Sequence, residues 1–173
     1  AQLWQSFPEK GRATVFFGGW YACSLYESIS KEHRERELTR AVELEQMLVQ
    51  DGAIVVKLWF DLTKREQKER LAALAKQKDT RWRVSKADWA ENKGYAAFAK
   101  KRDRVLERTS TDTAPWHVIP SVDPDLRNRM AATAVLQALK EVPKRSDASL
   151  KLKAPSAKAS AKASELATMD RNE

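Results

Sequence analysis

The chain has 173 residues, a formal charge of +8, 42% hydrophobic residues and six tryptophans, which is enough for one domain with a buried core. No apolar run approaches the length of a membrane-spanning helix, and a single cysteine, Cys23, excludes a disulfide framework and suits a reducing compartment. The N-terminus has no signal-peptide pattern, so we expect a cytoplasmic protein.

The positive charge is concentrated in residues 64–108. This span holds fifteen Lys and Arg residues against seven Asp and Glu residues, so the rest of the chain is neutral overall. A basic patch confined to one segment predicts a polyanionic partner, such as phosphates, nucleic acid or an acidic surface.

The first predicted elements are a short buried strand over residues 12–17 and a helix over residues 31–50, which has apolar residues at helical spacing. The strand ends at Gly18 and Gly19. Ligand crevices in α/β sheets lie beyond the carboxyl ends of strands, so this pair is a candidate ligand-binding turn, with a plain tight turn as the equal alternative.

The central predicted element is a strand over residues 53–59, which is apolar on both alternating faces except at Lys57. A strand buried on both faces of a parallel sheet has this composition. Asp51 and Gly52 end the preceding helix, because glycine accepts a left-handed backbone. We predict that Lys57, at the end of this strand, contributes to a phosphate-binding surface.

Two pairs of residues have the spacing of helix-capping boxes. Thr63 with Glu66, and Ser85 with Asp88, place a side-chain acceptor three residues before a carboxylate. They predict helices over about residues 63–77 and 88–108. Helices that alternate with a strand are typical of a layered α/β domain.

The segment between these two helices carries Arg81, Arg83 and Lys86 around Trp82. Arginine suits the binding of phosphate because its planar fork matches two oxygens. We therefore predict a phosphate-binding surface at Arg81, Arg83 and Lys86. In the alternative interpretation, Trp82 is buried in the core and the cations are surface charges or ion-pair partners of Asp79 and Asp88.

The C-terminal region begins with a predicted strand over residues 116–120. Asp123 and Pro124 then open a last helix, whose inward side chains are predicted to be Leu126, Met130, Leu136 and Leu139. Residues 144–173 include a low-complexity Ala/Lys/Ser tract that buries too little surface to offset the entropy of ordering. We expect a disordered linker or tail there and a domain over residues 1–143.

Several kinds of active site are excluded by the residues themselves. One cysteine and two distant histidines cannot build a zinc site. The sequence contains neither a Gly-x-Ser-x-Gly elbow nor a Gly-rich loop followed by Lys and Ser or Thr. No catalytic and no metal-ligating residue is therefore assigned.

The order of several short motifs resembles the second polyphosphate kinase family. These motifs cover about residues 4–143 and are Trp20-Tyr21, Glu45-x-Met47-Leu48-Val49-x-Asp51-Gly52, Lys57-x-Trp59-Phe60, Glu66-Gln67-x-x-Arg70, Arg81-Trp82-Arg83 and Ala114-Pro115-Trp116. Within the family, the chain looks closest to the N-terminal half of two-domain polyphosphate:AMP phosphotransferases.

The resemblance implies a three-layer α/β domain of the P-loop-kinase type, with a parallel sheet and a helical lid over about residues 64–108. It also implies phosphoryl transfer between polyphosphate and AMP or ADP, with Mg²⁺ as cofactor and a second kinase domain in the full protein. The oligomeric state is left open, and an oligomer is compatible with the resemblance.

The chain departs from the family at its catalytic motifs. Catalytic members carry a Gly-rich Walker A loop upstream and an Asp-Arg-Ser-Trp-Tyr-x-Arg motif where this chain has Phe17, Gly18, Gly19 and Cys23. Phosphoryl transfer relies on a phosphate cradle, a metal and a positioned base. We therefore expect that the N-terminal part of the domain is missing and that the fragment is inactive by itself.

Two functions follow. The first is part of a polyphosphate:AMP-type phosphotransferase with polyphosphate and a nucleotide as partners. The alternative is a non-enzymatic module for polyanion binding or oligomerisation. Nucleic acid is disfavoured because acidic residues are interleaved through the basic span and no nucleic-acid-binding motif is present, and no membrane partner is expected.

Overall fold

A computed structural model describes residues 6–140 of the chain. Its regular elements are, in chain order, α1 (Ala22–Tyr26), α2 (Lys31–Gln50), β1 (Lys57–Asp61), α3 (Lys64–Lys76), α4 (Lys86–Lys93), α5 (Tyr95–Thr109), β2 (Trp116–Pro120) and α6 (Pro124–Lys140), with short 3-10 turns at Gly19–Tyr21 and Arg81–Arg83.

The chain divides into two units, Ala1–Val135 and Leu136–Glu173, and of the second unit only the last residues of α6 are described. The predicted tail, residues 144–173, lies outside the described residues. In the described part of the chain, no helix is both long and apolar enough to cross a membrane.

The two strands form a parallel sheet. Lys57 of β1 lies opposite Trp116 of β2, and Asp61 lies opposite Pro120. The connection between the strands runs through α3, α4 and α5, since parallel strands need a long crossover. The α/β fold with a parallel sheet is therefore confirmed. The predicted strand over 53–59 is displaced toward its carboxyl end, because β2 lies beside the chain only from Lys57 onward.

The hydrophobic core lies where α1, α2 and α5 meet the sheet. Its buried members are Tyr21, Leu25, Leu38, Ala41 and Val105, and the partly buried aromatic rings packed against them are Trp20, Trp59, Phe98 and Trp116. Burial of one large apolar side chain contributes about 1.5–3 kcal/mol to stability. The core therefore fixes the two strands against the helices.

Both predicted capping boxes are confirmed. The Thr63 N–H donates to Glu66 Oε2 at 2.8 Å, and the Ser85 N–H donates to Asp88 Oδ2 at 2.6 Å. The single helix predicted over 88–108 is instead two helices, α4 and α5, separated at Gly94. The Gly94 N–H closes α4 by donating to carbonyl oxygens of that helix, while Gly94 also forms the N-cap of α5.

The strand predicted over residues 12–17 is wrong. Val15 is 81% exposed and Phe17 is 97% exposed. In residues 6–140, the sheet consists of β1 and β2, and neither strand pairs with this segment. The turn that follows is present, because Gly18 and Gly19 have positive φ angles of 72° and 49°, which glycine adopts without strain.

The inward face predicted for the last helix is also wrong. Leu126, Met130, Leu136 and Leu139 are all exposed, and the buried residue of α6 is Ala134. A smaller side chain therefore forms the inner contact of this helix, and its larger apolar residues stay in solvent in the described part of the chain.

Candidate phosphate-binding surface

The segment between α3 and α4 is held by its own hydrogen bonds. The Arg81 N–H donates to Gln77 O at 2.9 Å, and the Arg83 N–H donates to Thr80 O at 3.0 Å. The Thr80 hydroxyl donates to Leu74 O at 2.8 Å, which ties the turn to the end of α3. The backbone that carries Arg81 and Arg83 is therefore ordered by local bonds.

Buried amide contacts also hold α4 against α3. The Asn92 side chain is 5% exposed, and its Nδ2 donates to Lys64 O at 2.9 Å and to Gln67 Oε1 at 2.8 Å. Farther along, the Tyr95 hydroxyl donates to Leu62 O at 2.8 Å. These bonds join the segment's flanking helices to the carboxyl end of β1.

The three predicted cations on this segment have no carboxylate partner among the described residues. Arg81, Arg83 and Lys86 are exposed, and none of them forms an ion pair with a carboxylate in residues 6–140. Asp88 instead accepts hydrogen bonds from the Ser85 backbone and hydroxyl, which lower its pKa. The alternative in which Asp88 pairs with these cations is therefore not what the structure shows.

Trp82 is not buried in the core. Its side chain is 79% exposed, and the indole N–H donates to Asp79 O at 2.8 Å. This bond orients the ring on the surface between the two arginines. Exposure of a large aromatic side chain beside unpaired cations is a feature that ligand-binding surfaces share.

Three arginines at the other end of the basic span already have carboxylate partners. Arg102 Nη1 lies 2.7 Å from Asp61 Oδ1, and Arg104 Nε lies 2.6 Å from Glu35 Oε1. Arg108 Nε lies 3.3 Å from the other oxygen of Glu35, and these arginine contacts lower the pKa of the Glu35 carboxyl. Within residues 64–108, the cations around Trp82 are therefore unpaired, whereas these three arginines of α5 are paired.

Lys57 lies apart from the predicted surface. It is 5% exposed, and its Nζ donates to Glu45 Oε2 at 2.7 Å and to the carbonyl oxygen of Thr109. Burial lowers the pKa of its ammonium group, opposed by the hydrogen bond to Glu45. The structure thus brings Arg81, Arg83 and Lys86 together on one segment and places Lys57 in the interior.

The carboxylate of Glu45 is the centre of this interior cluster. Glu45 is 1% exposed and accepts hydrogen bonds from the Tyr21 hydroxyl and, at 3.1 Å, from the Trp20 indole N–H. Burial, followed by the contact with Glu45, raises the pKa of Tyr21. Every one of these contacts is internal, so the cluster joins the first turn, α2 and β1.

An open cleft lies at the carboxyl ends of both strands. It has a volume of about 340 Å³ and is lined by Phe60, Leu62, Arg70, Ser121 and Arg127. Sequence reasoning did not assign Arg70 or Arg127 to a site. Arg70 ends the Glu66-Gln67-x-x-Arg70 motif, and this motif could have indicated a role for it. Arg127 lies in no motif.

The described residues do not fit the magnesium ion that the resemblance implied. Within residues 6–140, no three His, Cys, Asp or Glu side chains come together in a way that could hold a metal ion.

Comparison with known proteins supports one family. The family model of Polyphosphate kinase 2 matches residues 1–147. The chain is 38% identical over 142 residues to a polyphosphate:AMP phosphotransferase from Pseudomonas syringae, covering 80% of this chain and 28% of that protein. It is 37% identical to one from Pseudomonas aeruginosa, covering 80% of this chain and 29% of that protein.

A solved structure shares the fold. The crystal structure of Polyphosphate Kinase 2 from Arthrobacter aurescens matches with a TM-score of 0.68 and 27% identity, covering 70% of this chain and 44% of that one. The chain thus spans less than a third of the length of the two curated relatives. The profile match, the sequence identity and the shared fold agree, and the chain belongs to the polyphosphate kinase 2 family.

Proposed function

We propose that this chain is part of a polyphosphate-dependent nucleotide phosphotransferase of the polyphosphate:AMP type, and that Arg81, Arg83 and Lys86 bind the phosphate chain. The observation that supports the proposal is a set of three exposed cations, on the turn between α3 and α4 and at the start of α4, that have no carboxylate partner in residues 6–140. The printed names of the two curated relatives supply the substrate class. Lys57 is left out of the surface because its ammonium group is paired with Glu45.

The fragment by itself is proposed to bind without catalysing transfer. The sequence has Phe17 and Cys23 where catalytic members carry the acid and an arginine of their motif, and residues 6–140 bring no metal-binding cluster together. Phosphoryl transfer needs electrostatic stabilisation of the transferred group by a cradle and a metal. Mg²⁺ and a second kinase domain are therefore assigned to the full protein.

Binding without any enzymatic role is the second candidate. The same unpaired cations would serve a polyanion-binding module equally well, and the exposed apolar residues of α6 are compatible with an oligomerisation surface. Sequence neighbours and fold favour the enzyme component, because they belong to a family of phosphotransferases.

Polyphosphate binding by the purified chain tests the surface. We expect Arg81→Ala/Arg83→Ala to lower the affinity measured by calorimetry by about a hundredfold or more, since charge-assisted hydrogen bonds to phosphate contribute about 1.5–3 kcal/mol each and about 1.4 kcal/mol is a factor of ten. Lys68→Ala/Lys76→Ala removes the same charge from exposed positions on α3 and serves as the control. Equal losses in both variants, with both folded, would show that only net charge matters.

An activity assay tests the proposal that the isolated chain does not catalyse transfer. We expect no conversion of AMP to ADP by the isolated chain with polyphosphate and Mg²⁺ in a coupled assay, because the cradle and the acid are missing from its sequence. Turnover well above a no-protein control would contradict the proposal that the isolated chain is inactive. That result would leave the assignment of Arg81, Arg83 and Lys86 to be judged by the binding experiment.

A further inference from the structure

The outer edge of β1 carries backbone groups that have no partner. The Asp61 carbonyl oxygen accepts a hydrogen bond from the Ser121 N–H at 2.9 Å, so the backbone groups of Asp61 point toward β2. The N–H and C=O groups of Leu58 and Phe60 point the other way, because this direction alternates along a strand. In the described part of the chain, no backbone group bonds to them on that side. An edge of this kind is open to pairing with a further strand.

The outer edge of β2 is blocked. By the same alternation, the outward backbone groups of β2 belong to Val118 and Pro120. Proline has no N–H to donate, and proline on an edge strand is one means by which proteins prevent edge-to-edge pairing. The sheet that residues 6–140 form is therefore open to another strand at β1 and protected at β2.

The chain also carries a strand-forming segment without a partner. Residues 12–17 combine β-branched residues with two phenylalanines, and such residues favour strands. All of them except Phe16 are exposed, and neither β1 nor β2 pairs with them. The Phe16 ring lies 6.0 Å from the rings of Phe7 and of Trp20, and these contacts hold the segment on the surface of the fold.

The charges near the segment and the open edge are complementary in a parallel alignment. Lys10 and Arg12 lie at the N-terminal end of the segment, and Asp51 lies at the N-terminal end of the run that leads into β1. All three are exposed, and none of them forms an ion pair within residues 6–140. Parallel alignment brings these opposite charges to the same end. Antiparallel alignment would bring the cations to Asp61, which already pairs with Arg102 at 2.7 Å.

We propose that the chain binds a second copy of itself, with residues 12–17 of one copy adding as a parallel strand to the outer edge of β1 in the other. The partner is a second copy because each copy supplies both the open edge and the unpaired segment, and the two are not paired within one copy. Such a contact joins two different surfaces, so it either closes by reciprocal exchange into a dimer or extends to longer assemblies. It requires neither polyphosphate nor a nucleotide.

The net charge of +8 sets the sign of the salt effect. Two copies of like charge repel each other, and salt screens that repulsion beyond about 10 Å at 0.1 M. Self-association is therefore expected to strengthen as salt is added, whereas polyphosphate binding is expected to weaken. The opposite signs separate this interface from the proposed polyphosphate surface.

Sedimentation equilibrium of the full chain, over a range of protein concentrations, tests the proposal. Val15→Lys places a charge in the pairing segment at a side chain that is 81% exposed. We expect it to raise the dissociation constant of self-association by about tenfold. The matched control is Val122→Lys, which makes the same change at a 60% exposed side chain outside the segment and the open edge. It should associate as the parent does.

The edge has a matched pair of variants of its own. Phe60 and Val118 are both 50% exposed, and their backbone groups point outward from opposite edges of the sheet. Phe60→Pro removes a donor from the open edge, and we expect the dissociation constant to rise by about tenfold. Val118→Pro removes a donor from the blocked edge and should leave self-association unchanged. Circular dichroism checks that both variants are folded.

Several results would overturn the proposal. These are a parent chain that stays monomeric at every concentration, equal losses within either matched pair, and self-association that weakens with salt. Loss of association in Met130→Lys without loss in Val15→Lys would place the interface on α6 and contradict it as well. If Phe60→Pro fails to fold, the Val15→Lys variant and its control decide, because residues 12–17 belong to neither strand of the described sheet.

Discussion

Lys57 and Glu45 form an ion pair that is closed off from solvent. Their side chains are 4% and 1% exposed, and Nζ lies 2.7 Å from Oε2. The ammonium group also lies 5.3 Å from the centre of the Trp116 ring, where the ring face attracts a cation. Taking two charges out of water is costly, so the pair is stable only while both partners and their added hydrogen bonds are present.

Removal of one partner is therefore expected to be severe. Glu45→Ala leaves the Lys57 ammonium buried without a counter-charge, and we expect the free energy of unfolding to fall by about 3–5 kcal/mol. Urea unfolding followed by tryptophan fluorescence measures this loss. The control is Glu69→Ala, which breaks the exposed pair with Arg65, at 3.7 Å, and should change stability by less than about 1 kcal/mol.

Loss of both charges should cost much less. In Glu45→Leu/Lys57→Met, neither ion remains unpaired, so we expect this double variant to be more stable than Glu45→Ala. A double variant as unstable as the single one would argue that cavity formation, rather than the unpaired ammonium, limits stability at this site.

At the scale of the elements, glycine decides two helix boundaries by different means. Gly52 follows α2 with a φ of 92°, in the left-handed region where a side chain is strained. Gly94 separates α4 from α5 with φ −80° and ψ 4°, which other residues can adopt. The first boundary therefore requires glycine and the second does not.

The same substitution should have opposite effects at these two positions. Gly52→Ala is expected to destabilise the fold by about 1–2 kcal/mol, the cost of a side chain in left-handed backbone. Gly94→Ala is expected to stabilise it by about 0.4–1 kcal/mol, because alanine has less conformational entropy to lose. Thermal and denaturant unfolding of the two variants measure both signs.

Neither substitution is obstructed by its surroundings. A Cβ at Gly52 meets no atom within 4 Å, and at Gly94 the nearest atoms are Ala90 O at 3.6 Å and Glu91 O at 3.7 Å. Backbone conformation is then the main difference between the two sites. Destabilisation at Gly94 as large as at Gly52 would mean that α4 and α5 need a break that alanine prevents.

For the whole molecule, the net charge of +8 is less informative than the pairing of its charges. Arg102, Arg104 and Arg108 meet carboxylates from β1 and α2, whereas Arg81 and Arg83 meet none in residues 6–140. Charges that are already paired release few counterions when a polyanion binds. We therefore expect Arg81 and Arg83 to contribute more to the response of binding to salt than the paired arginines of α5.

Salt titration makes this quantitative. With about three phosphate contacts, we expect polyphosphate affinity to fall roughly 20- to 40-fold between 50 mM and 200 mM salt, because bound counterions are released. Arg81→Ala/Arg83→Ala should show a smaller salt dependence. An unchanged dependence in that variant would place the phosphate contacts elsewhere on the chain.

The local structure was predictable because its causes lie within a few residues. The boxes at Thr63 and Ser85 each join atoms three residues apart, and the β2 strand matches its predicted range. The absence of a strand over residues 12–17 could not be predicted in this way, since a strand exists only with a partner beside it. Apolar composition by itself therefore overstated the order near Phe17.

The sequence by itself determined the fold class, the capped helices around the cationic segment and the identity of Arg81, Arg83 and Lys86 as candidate phosphate ligands. Only the tertiary structure decided which cations are free. Lys57 is not available to a ligand, because its ammonium group donates to Glu45, twelve residues away, and to Thr109, fifty-two residues away. Arg70 and Arg127 meet at one cleft only because the parallel pairing of β1 and β2 brings both strand ends to the same edge, and no spacing along the chain encodes that.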